Sequence, residues 1–275
     1  MEHTDVHFDP AEAPELSLVV PAYNEEAILA STLKRLLDEF EKAQIRLELI
    51  VVDNGSKDRT GAIAAEFARA NPAVRPVRVE VNQGYGFGIL SGLPHATAPW
   101  VGTIPADGQV DAEDVVRLFD VLRANDRMVM GKVRRRFRLD GVKRKLVSTA
   151  YNLLVVALWP GIGTYDVNGL PKIMHRDVLD ALDLRTKGWF LDPEIMIKAH
   201  YLGVRVLELN VFSRMRGNGL SHVRPSTCWE FFKSLGRYRF SGVLRTWRRT
   251  ARIRPPAPPP QPAAPLPETV GTGAR

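Results

Sequence analysis

The sequence has little of what marks a secreted or membrane-spanning protein. Among its 275 residues there is a single cysteine, Cys228, so no disulfide bond can form within the chain. Residues 1–15 are acidic and lack an apolar core, which argues against a signal peptide. The best apolar run, residues 146–163, is interrupted by polar residues and a proline, so it lacks the roughly 18 apolar residues of a membrane-spanning helix. We therefore expect a cytoplasmic protein.

Acidic residues are missing from one long stretch, and the excess of basic residues is concentrated in two places. The net charge is +7, yet no acid lies between Glu230 and Glu268, and seven arginines occur from Arg237 to Arg254. Residues 132–145 hold eight basic residues and one acid. Such runs are usually solvated surface, but they also suit phosphates, anionic lipids or nucleic acids.

Hydrophobic patterning predicts strands that alternate with amphipathic helices over the first half of the chain. The runs that read as strands occupy residues 16–20, 47–52, 74–81, 100–104, 128–133, 169–175 and 204–212. Strands that alternate with helices in this way indicate an α/β protein with a mostly parallel sheet.

Polar segments follow four of these strands directly. They are residues 21–25, 53–58, 82–88 and 107–109. In a mostly parallel sheet, ligands bind outside the carboxyl ends of the strands, so the four segments together predict a functional polar crevice.

Two of the polar segments also have an ordinary structural interpretation. Asn24 suits the N-cap of a helix that begins at Glu25. The dipeptide Asp107-Gly108 is a strong turn signal before a helix capped by Asp111. We favour the functional interpretation because the segments coincide at one predicted edge of the sheet.

An ordered set of short motifs resembles a known protein family. The matching segments are residues 21–25 (Pro-Ala-Tyr-Asn-Glu), 51–58, 82–84 with Gly88, 106–109 (Ala-Asp-Gly-Gln) and 216–221. On these residues the chain resembles the family 2 glycosyltransferases with the GT-A (Rossmann-like) fold, and within them the dolichol-phosphate mannosyltransferase-like branch. The resemblance covers residues 16–221 and is specific as a set, although no single motif is. It implies transfer of a sugar from a nucleotide-sugar donor to a polyprenyl-phosphate acceptor, with Mg2+ or Mn2+.

The resemblance also implies a donor pocket. Pro21, Tyr23 and Glu25 would line it, and Asp53 would hydrogen-bond the base. Asn54 stands where the family usually has a second acid, which would alter base preference. The remaining donor-binding residues that it implies are Asn82, Gly84, Asp107, Arg216 and Ser221.

The metal site that the resemblance implies is incomplete in this sequence. Asp107 would be the metal ligand of the family's D-x-D element, and Gln109 the amide that completes the site. Pro105 stands where the first acid of D-x-D is expected. Either the metal is held by one carboxylate, one amide, donor phosphates and water, which Mg2+ accepts, or catalysis is weakened.

The basic run after the fifth strand matches the place where this branch holds the acceptor phosphate. The candidates are Arg134, Lys143 and Arg144, and we expect most of the other basic residues of the run to lie at the surface. A phosphate is already an anionic nucleophile, so it needs placement and charge compensation more than a general base.

A later acidic pair, Asp192 and Glu194, also matches the family, and Asp192 is the candidate catalytic residue of the two. Asp192 would equally serve as the cap of a helix whose first turn contains Pro193. Asp166 and Lys172 fall in a family-like segment as well.

The helix predicted over residues 142–159 is apolar over most of its surface and directly follows the basic run. This arrangement is typical of a helix that lies in an anionic membrane interface, and it predicts a peripheral protein at the inner face of the cell membrane. The alternative is a core helix of one domain.

Four regions are predicted along the chain. Residues 1–15 form a flexible N-terminus, residues 16–223 the GT-A domain, and residues 224–250 a basic amphipathic helical extension. Residues 251–275 are a disordered tail, because eight of the thirteen residues from 255 to 267 are proline.

Three other functions are compatible with parts of the sequence. A basic nucleic-acid-binding protein would explain the arginines but not the acids at the strand ends, so we expect no nucleic-acid partner. A sugar-nucleotide binder without activity would explain Pro105. A glycosyltransferase with a soluble acceptor is the nearest enzymatic alternative.

Overall fold

The computed structural model describes residues 13–137, 142–164, 166–212 and 225–252. Within them, seven strands form one sheet. The strands are β1 (Leu16–Ala22), β2 (Leu47–Asn54), β3 (Val74–Val79), β4 (Trp100–Thr103), β5 (Val129–Phe137), β6 (Lys172–His175) and β7 (Arg205–Phe212). The α-helices are α1 (Leu29–Lys42), α2 (Thr60–Ala70), α3 (Tyr85–Gly92), α4 (Ala112–Arg123), α5 (Val142–Leu158), α6 (Arg176–Leu182), α7 (Leu191–Tyr201), α8 (Pro225–Phe240) and α9 (Val243–Thr250).

The strand order is β3-β2-β1-β4-β6-β5-β7. Strands β1 to β4 pair in parallel, and β5 pairs in parallel with β7. Strand β6 is antiparallel to both of its neighbours, β4 and β5. The predicted mostly parallel sheet is confirmed, and all the parallel strands, β5 and β7 included, have their carboxyl ends at one edge.

Two layers of helices cover the faces of the sheet, because the side chains of each strand alternate between them. On one face Leu18 and Val20 of β1 pack with the apolar stripes of α1 and α4, such as Leu36 and Phe119. The intervening residue, Val19, belongs to a cluster on the other face. Apolar residues on both faces of the central strands are what a doubly covered sheet requires.

Helix α5 begins at the predicted residue, and part of its described surface is buried. Tyr151, Val155 and Trp159 lie in the second hydrophobic core, where the C-terminal helices contribute Leu235 and Trp247. Helices α8 and α9 therefore pack on the same core as the sheet. Among the residues that the structure describes, no helix is long and apolar enough to cross a membrane.

Candidate active site

The loops after β1 and β2 are tied together at the carboxyl edge of the sheet. The backbone N–H of Glu25 donates to Thr60 Oγ1 at 2.9 Å, and Asn24 Oδ1 accepts from the backbone N–H of Lys57 at 2.9 Å. Asn24 has a left-handed backbone with φ 54°, and α1 begins only at Leu29. The prediction that Asn24 caps a helix starting at Glu25 is therefore wrong, since its side chain binds the neighbouring loop.

Asp53, the predicted base-binding acid, lies next to the last residue of β2 and opposite Ala22 of β1. Its Oδ1 accepts from the backbone N–H of Ser56 at 2.9 Å, and its Oδ2 accepts from Arg78 Nη1 at 3.1 Å. A side chain at position 61 would collide with Oδ2, so Gly61 leaves room for this carboxylate. The carboxylate is thus held in one orientation at the strand end.

Asn54 joins β2 to the glycine-rich loop after β3. Its Nδ2 donates to the backbone carbonyl of Gly84 at 3.0 Å and lies 3.4 Å from Asn82 Oδ1. Asn82 Oδ1 in turn accepts from the backbone N–H of Gly84 at 2.8 Å. At position 88 a Cβ would lie 2.9 Å from Asn54 Nδ2, so Gly88 permits the contact.

We expect Asn54→Asp to destabilise the protein, although an acid is what the family usually has there. A carboxylate would face the oxygens of Gly84 and Asn82 in place of a donor, in a buried position. Losing a buried donor in this way costs about 1–3 kcal/mol. Chemical denaturation of both proteins measures the change, with Asn71→Asp, a partly exposed residue before β3, as the control. Equal stability of Asn54→Asp and the parent would contradict this role.

A second segment, residues 186–188, closes over the N-terminus of α3. The backbone N–H of Phe87 donates to the carbonyl of Lys187 at 2.8 Å, and a Cβ at Gly86 would collide with backbone atoms of this segment. The Tyr85 and Trp189 rings stack with their centroids 4.8 Å apart. The glycine-rich loop is therefore fixed from two sides, by Asn54 and by this segment.

Glu194 holds that segment in place. Its Oε2 accepts from the backbone N–H of Thr186 at 2.9 Å, and its Oε1 lies 2.7 Å from Lys198 Nζ. Lys198 Nζ also donates to the carbonyl of Asp183 at 2.7 Å. Thr186 and Asp183 both belong to the chain before α7, so Glu194 fixes that chain directly and through Lys198. Glu194 of the predicted acidic pair therefore supports residues 186–188, which we call the lip.

Asp107 and Gln109 lie in the turn that follows β4. The backbone N–H of Gln109 donates to Asp107 Oδ1 at 3.2 Å, and Thr32 Oγ1 of α1 donates to the carbonyl of Ala106 at 3.0 Å. Gly108 has a φ of 63°, which favours glycine. This turn brings the carboxylate and the amide to the same edge as the loops after β1, β2 and β3.

A row of polar residues crosses the sheet beside that edge. Thr103 of β4 is paired with Lys172 of β6, Lys172 with Lys132 of β5, and Lys132 with Glu208 of β7. Both lysines are 0% exposed. Most of the basic run was expected at the surface, and Lys132 is an exception because it lies on the same face of β5 as Met130 of the second core.

The buried lysines are paired with acids from outside their own strands. Lys172 Nζ lies 2.5 Å from Asp192 Oδ1 in the first turn of α7. Lys132 Nζ lies 2.9 Å from Glu208 Oε1 and 3.1 Å from Thr164 Oγ1. Burial lowers the pKa of Lys172, and the Asp192 carboxylate opposes that shift.

The interpretation of Asp192 as a helix cap is wrong. Helix α7 begins at Leu191 with Phe190 at the cap position, so Asp192 lies inside the first turn. Its carboxylate binds Lys172 across the second core instead. No local sequence signal assigns a role to Lys132 or Glu208, because their pairing depends on strand register.

The structure places the predicted site residues as follows. Arg134, two residues beyond Lys132 on β5, is half-buried, and Asp192 is buried. Arg216 and Ser221, and the side chains of Lys143 and Arg144, lie outside the described residues. The described residues of the predicted donor and metal set lie on or beside the carboxyl edge: Pro21, Tyr23, Glu25, Asp53, Asn82, Gly84, Asp107 and Gln109.

An α/β sheet with interlocked polar loops at one edge and an acid–amide turn after β4 is the architecture of the nucleotide-sugar transferases with the GT-A fold. A solved structure of glucosyl-3-phosphoglycerate synthase from Mycobacterium tuberculosis, in complex with Mn2+, UDP-glucose and phosphoglyceric acid, superposes with a TM-score of 0.67. The two proteins are 21% identical, and the match covers 82% of this chain and 79% of the other. The predicted GT-A fold is confirmed.

Residues 17–182 match the family described as glycosyl transferase family 2, and this chain belongs to that family. Dolichyl-phosphate beta-glucosyltransferase ALG5A of Trichomonas vaginalis is 31% identical over 221 residues, covering 74% of this chain and 67% of the relative. Undecaprenyl-phosphate 4-deoxy-4-formamido-L-arabinose transferase of Sodalis glossinidius is 32% identical over 175 residues, covering 63% and 52%. The chain thus spans between half and two thirds of the length of these two relatives.

Proposed function

We propose that this glycosyltransferase moves a sugar from a nucleoside diphosphate sugar to a polyprenyl phosphate at a membrane surface. Relatives named for dolichyl phosphate and undecaprenyl phosphate support this acceptor class. The polar loops after β1, β2 and β3 would hold the nucleotide, with Asp53 toward the base and the lip at residues 186–188 closing over the glycine-rich loop.

The observation that carries the acceptor proposal is the position of Arg134. Side chains alternate along β5, so Arg134 shares a sheet face with Lys132 and lies nearer the carboxyl end of the strand. Because β6 is antiparallel to both neighbours, β4 and β5 run the same way and end at the same edge. A guanidinium on the edge that carries Asp107 suits a phosphate acceptor.

The chemistry asks little of a general base. An acceptor phosphate oxygen would attack the anomeric carbon as the bond between that carbon and the diphosphate oxygen breaks. Both the nucleophile and the leaving group are anions, so no proton needs to be transferred, and orientation and charge compensation dominate. Asp192 is bound to Lys172, which suits a residue that orients the sugar rather than one that takes up a proton.

Asp107 and Gln109 would hold Mg2+ or Mn2+ together with the donor phosphates. Carboxylate and amide oxygens are ligands that Mg2+ accepts, and Mg2+ usually keeps waters and substrate phosphates as its other ligands. Among the described residues there is no group of three or more His, Cys, Asp or Glu side chains that could hold a metal ion by itself. When bound, the ion would neutralise charge on the leaving diphosphate.

A donor screen tests the proposal directly. The full chain is incubated with each of several nucleoside diphosphate sugars, with Mg2+ or Mn2+, and with a short-chain polyprenyl phosphate, and released nucleoside diphosphate is measured. We expect release that depends on both metal and acceptor, with one donor strongly preferred. A parallel arm with phosphoglycerate represents a soluble acceptor.

The arms separate the alternatives. Release with phosphoglycerate but not with polyprenyl phosphate would replace the lipid acceptor by a soluble one. Metal-dependent binding of the donor without release in any arm would make the protein a sugar-nucleotide binder.

A further inference from the structure

Two large apolar side chains are exposed where α8 ends and α9 begins. Phe240 is 76% exposed and Val243 is 55% exposed, with only Ser241 and Gly242 between them. In most surface positions such side chains occur singly, whereas these two lie together at the tip of a helical corner. Their exposure indicates a surface that binds another molecule or a membrane.

The two helices that form this corner are rich in arginine. Arg239 lies with its guanidinium 5.8 Å from the Phe240 ring. Residues 231–252 include no acid in the sequence. The exposed arginines of these two helices and the residues that follow are Arg237, Arg239, Arg245, Arg248, Arg249 and Arg252. We call Phe240, Val243, Arg237, Arg239 and Arg245 the arginine corner.

Helix α9, which carries Val243 and Arg245 of the arginine corner, is anchored to the rest of the domain. The Trp247 indole N–H donates to the carbonyl of Ala181 in α6 at 3.1 Å, and Lys198 Nζ of α7 lies 5.3 Å from the centre of the Trp247 ring. Leu244 is buried beside Trp247 in the second core. A surface bound by the corner would therefore have a defined orientation relative to α7, whose first turn carries Asp192.

We propose that the arginine corner docks this protein on an anionic lipid bilayer, with Phe240 and Val243 inserted among the lipids and the arginines at headgroup level. Apolar insertion combined with basic attraction is how a peripheral helix binds a membrane interface. An exposed aliphatic side chain beside the Phe240 ring fits a lipid surface, whereas single-stranded nucleic acid binds by stacking bases on aromatic rings, which Val243 does not offer. This inference rests on the proposed function, because a polyprenyl-phosphate acceptor lies at the membrane surface.

The proposal assigns membrane binding to the arginine corner and not to α5. The sequence predicted that α5 lies in the interface, but Tyr151, Val155 and Trp159 pack in the second core. Among the α5 side chains that the structure describes, those of residues 149–158, Leu153 is the large apolar one that is exposed, at 59%. It therefore provides a direct comparison with the corner.

The test is flotation of the full-length protein with phosphatidylcholine vesicles that do or do not contain phosphatidylglycerol, at low and high salt. We expect binding only to the anionic vesicles and a loss of binding as salt rises. Phe240→Ser/Val243→Ser should lower the vesicle affinity by about tenfold or more. Arg239→Gln/Arg245→Gln should lower it by about fivefold for each charge removed.

Two matched variants make the outcome decisive. Leu153→Ser on α5 and Val121→Ser on α4, in the opposite helix layer, also remove one exposed apolar side chain each and should leave vesicle binding unchanged. An equal loss of vesicle affinity in Leu153→Ser would show that α5 forms the membrane-binding surface. Failure of the parent to bind anionic vesicles at low salt, or salt-dependent binding to RNA that the corner variants abolish, would overturn the proposal.

Turnover on a short, water-soluble polyprenyl phosphate separates docking from catalysis. The corner variants should retain the parent's turnover in this assay, because Phe240 and Val243 lie outside the predicted site. If the parent protein binds anionic vesicles but releases no nucleotide in the donor screen, the proposed function is contradicted while the docking proposal still stands.

Discussion

Asp107→Asn should abolish sugar transfer while the protein remains folded. A metal ion that neutralises the negative charge developing on the leaving diphosphate stabilises the transition state by several kcal/mol. Loss of the carboxylate that holds it should therefore lower kcat by roughly a thousandfold or more. Asparagine has nearly the same shape and retains an Oδ1 that accepts the Gln109 backbone N–H, so the turn should survive. The measurements are kcat at saturating Mg2+ and Mn2+ binding in the presence of nucleoside diphosphate.

Variants of the same turn provide the comparison. Gln109→Ala should be milder than Asp107→Asn, because a water molecule can take the place of an amide ligand. Asp111→Asn removes an acid four residues further on, before α4, and should leave the metal dependence unchanged. Near-normal turnover of Asp107→Asn would remove the metal role from this residue. With Pro105 before it, Asp107 has no neighbouring acid of a D-x-D pair to compensate.

The sequence allowed the site-bearing edge of the sheet to be predicted because its signals are local. An apolar run that ends in Asp53, or in the Asp107 turn, identifies both a strand and its carboxyl end. The parallel arrangement then brings those ends together without further information. The structure ties three of the four predicted polar segments to one another and places the fourth, the Asp107 turn, at the same edge.

The rest of the site depends on long-range pairing that no local pattern contains. Lys132 looks like part of a solvated basic run, yet strand register and side-chain alternation direct it into the second core beside Lys172. The antiparallel direction of β6 likewise cannot be read from four apolar and basic residues. The cap prediction for Asn24 fails for the same reason, since its side-chain partner is the backbone of Lys57 on another loop.

Lys172→Met should be among the most destabilising substitutions in this chain. Lys172 Nζ lies 2.5 Å from Asp192 Oδ1, and both side chains are buried. Removing one member of a buried ion pair leaves the other charge without compensation, which costs about 3–5 kcal/mol of unfolding free energy. The double variant Lys172→Met/Asp192→Ala leaves no buried charge at this position, so it should be more stable than Lys172→Met alone.

Lys34→Met is the matched control for the lysine substitution. Lys34 pairs with Asp38 at 2.6 Å on the exposed face of α1. An exposed pair of this kind contributes at most about 1 kcal/mol, so this variant should unfold close to the parent. Guanidinium unfolding of the four proteins in the cycle, with Lys34→Met alongside, gives the coupling between Lys172 and Asp192.

Asp192→Ala should make stability depend on pH in a defined direction. Burial already lowers the pKa of Lys172 in the folded protein, and removing Asp192 takes away the attraction that opposes it. Between this lowered pKa and the ordinary lysine value, the unfolded chain binds a proton that the folded chain does not, so stability rises with pH. We therefore expect the deficit of Asp192→Ala relative to the parent to be largest at neutral pH and to shrink as the pH approaches about 10. A stability deficit that stays constant over this pH range would show that Lys172 is not a buried charge stabilised by Asp192. The same conclusion would follow if Lys172→Met/Asp192→Ala were less stable than Lys172→Met.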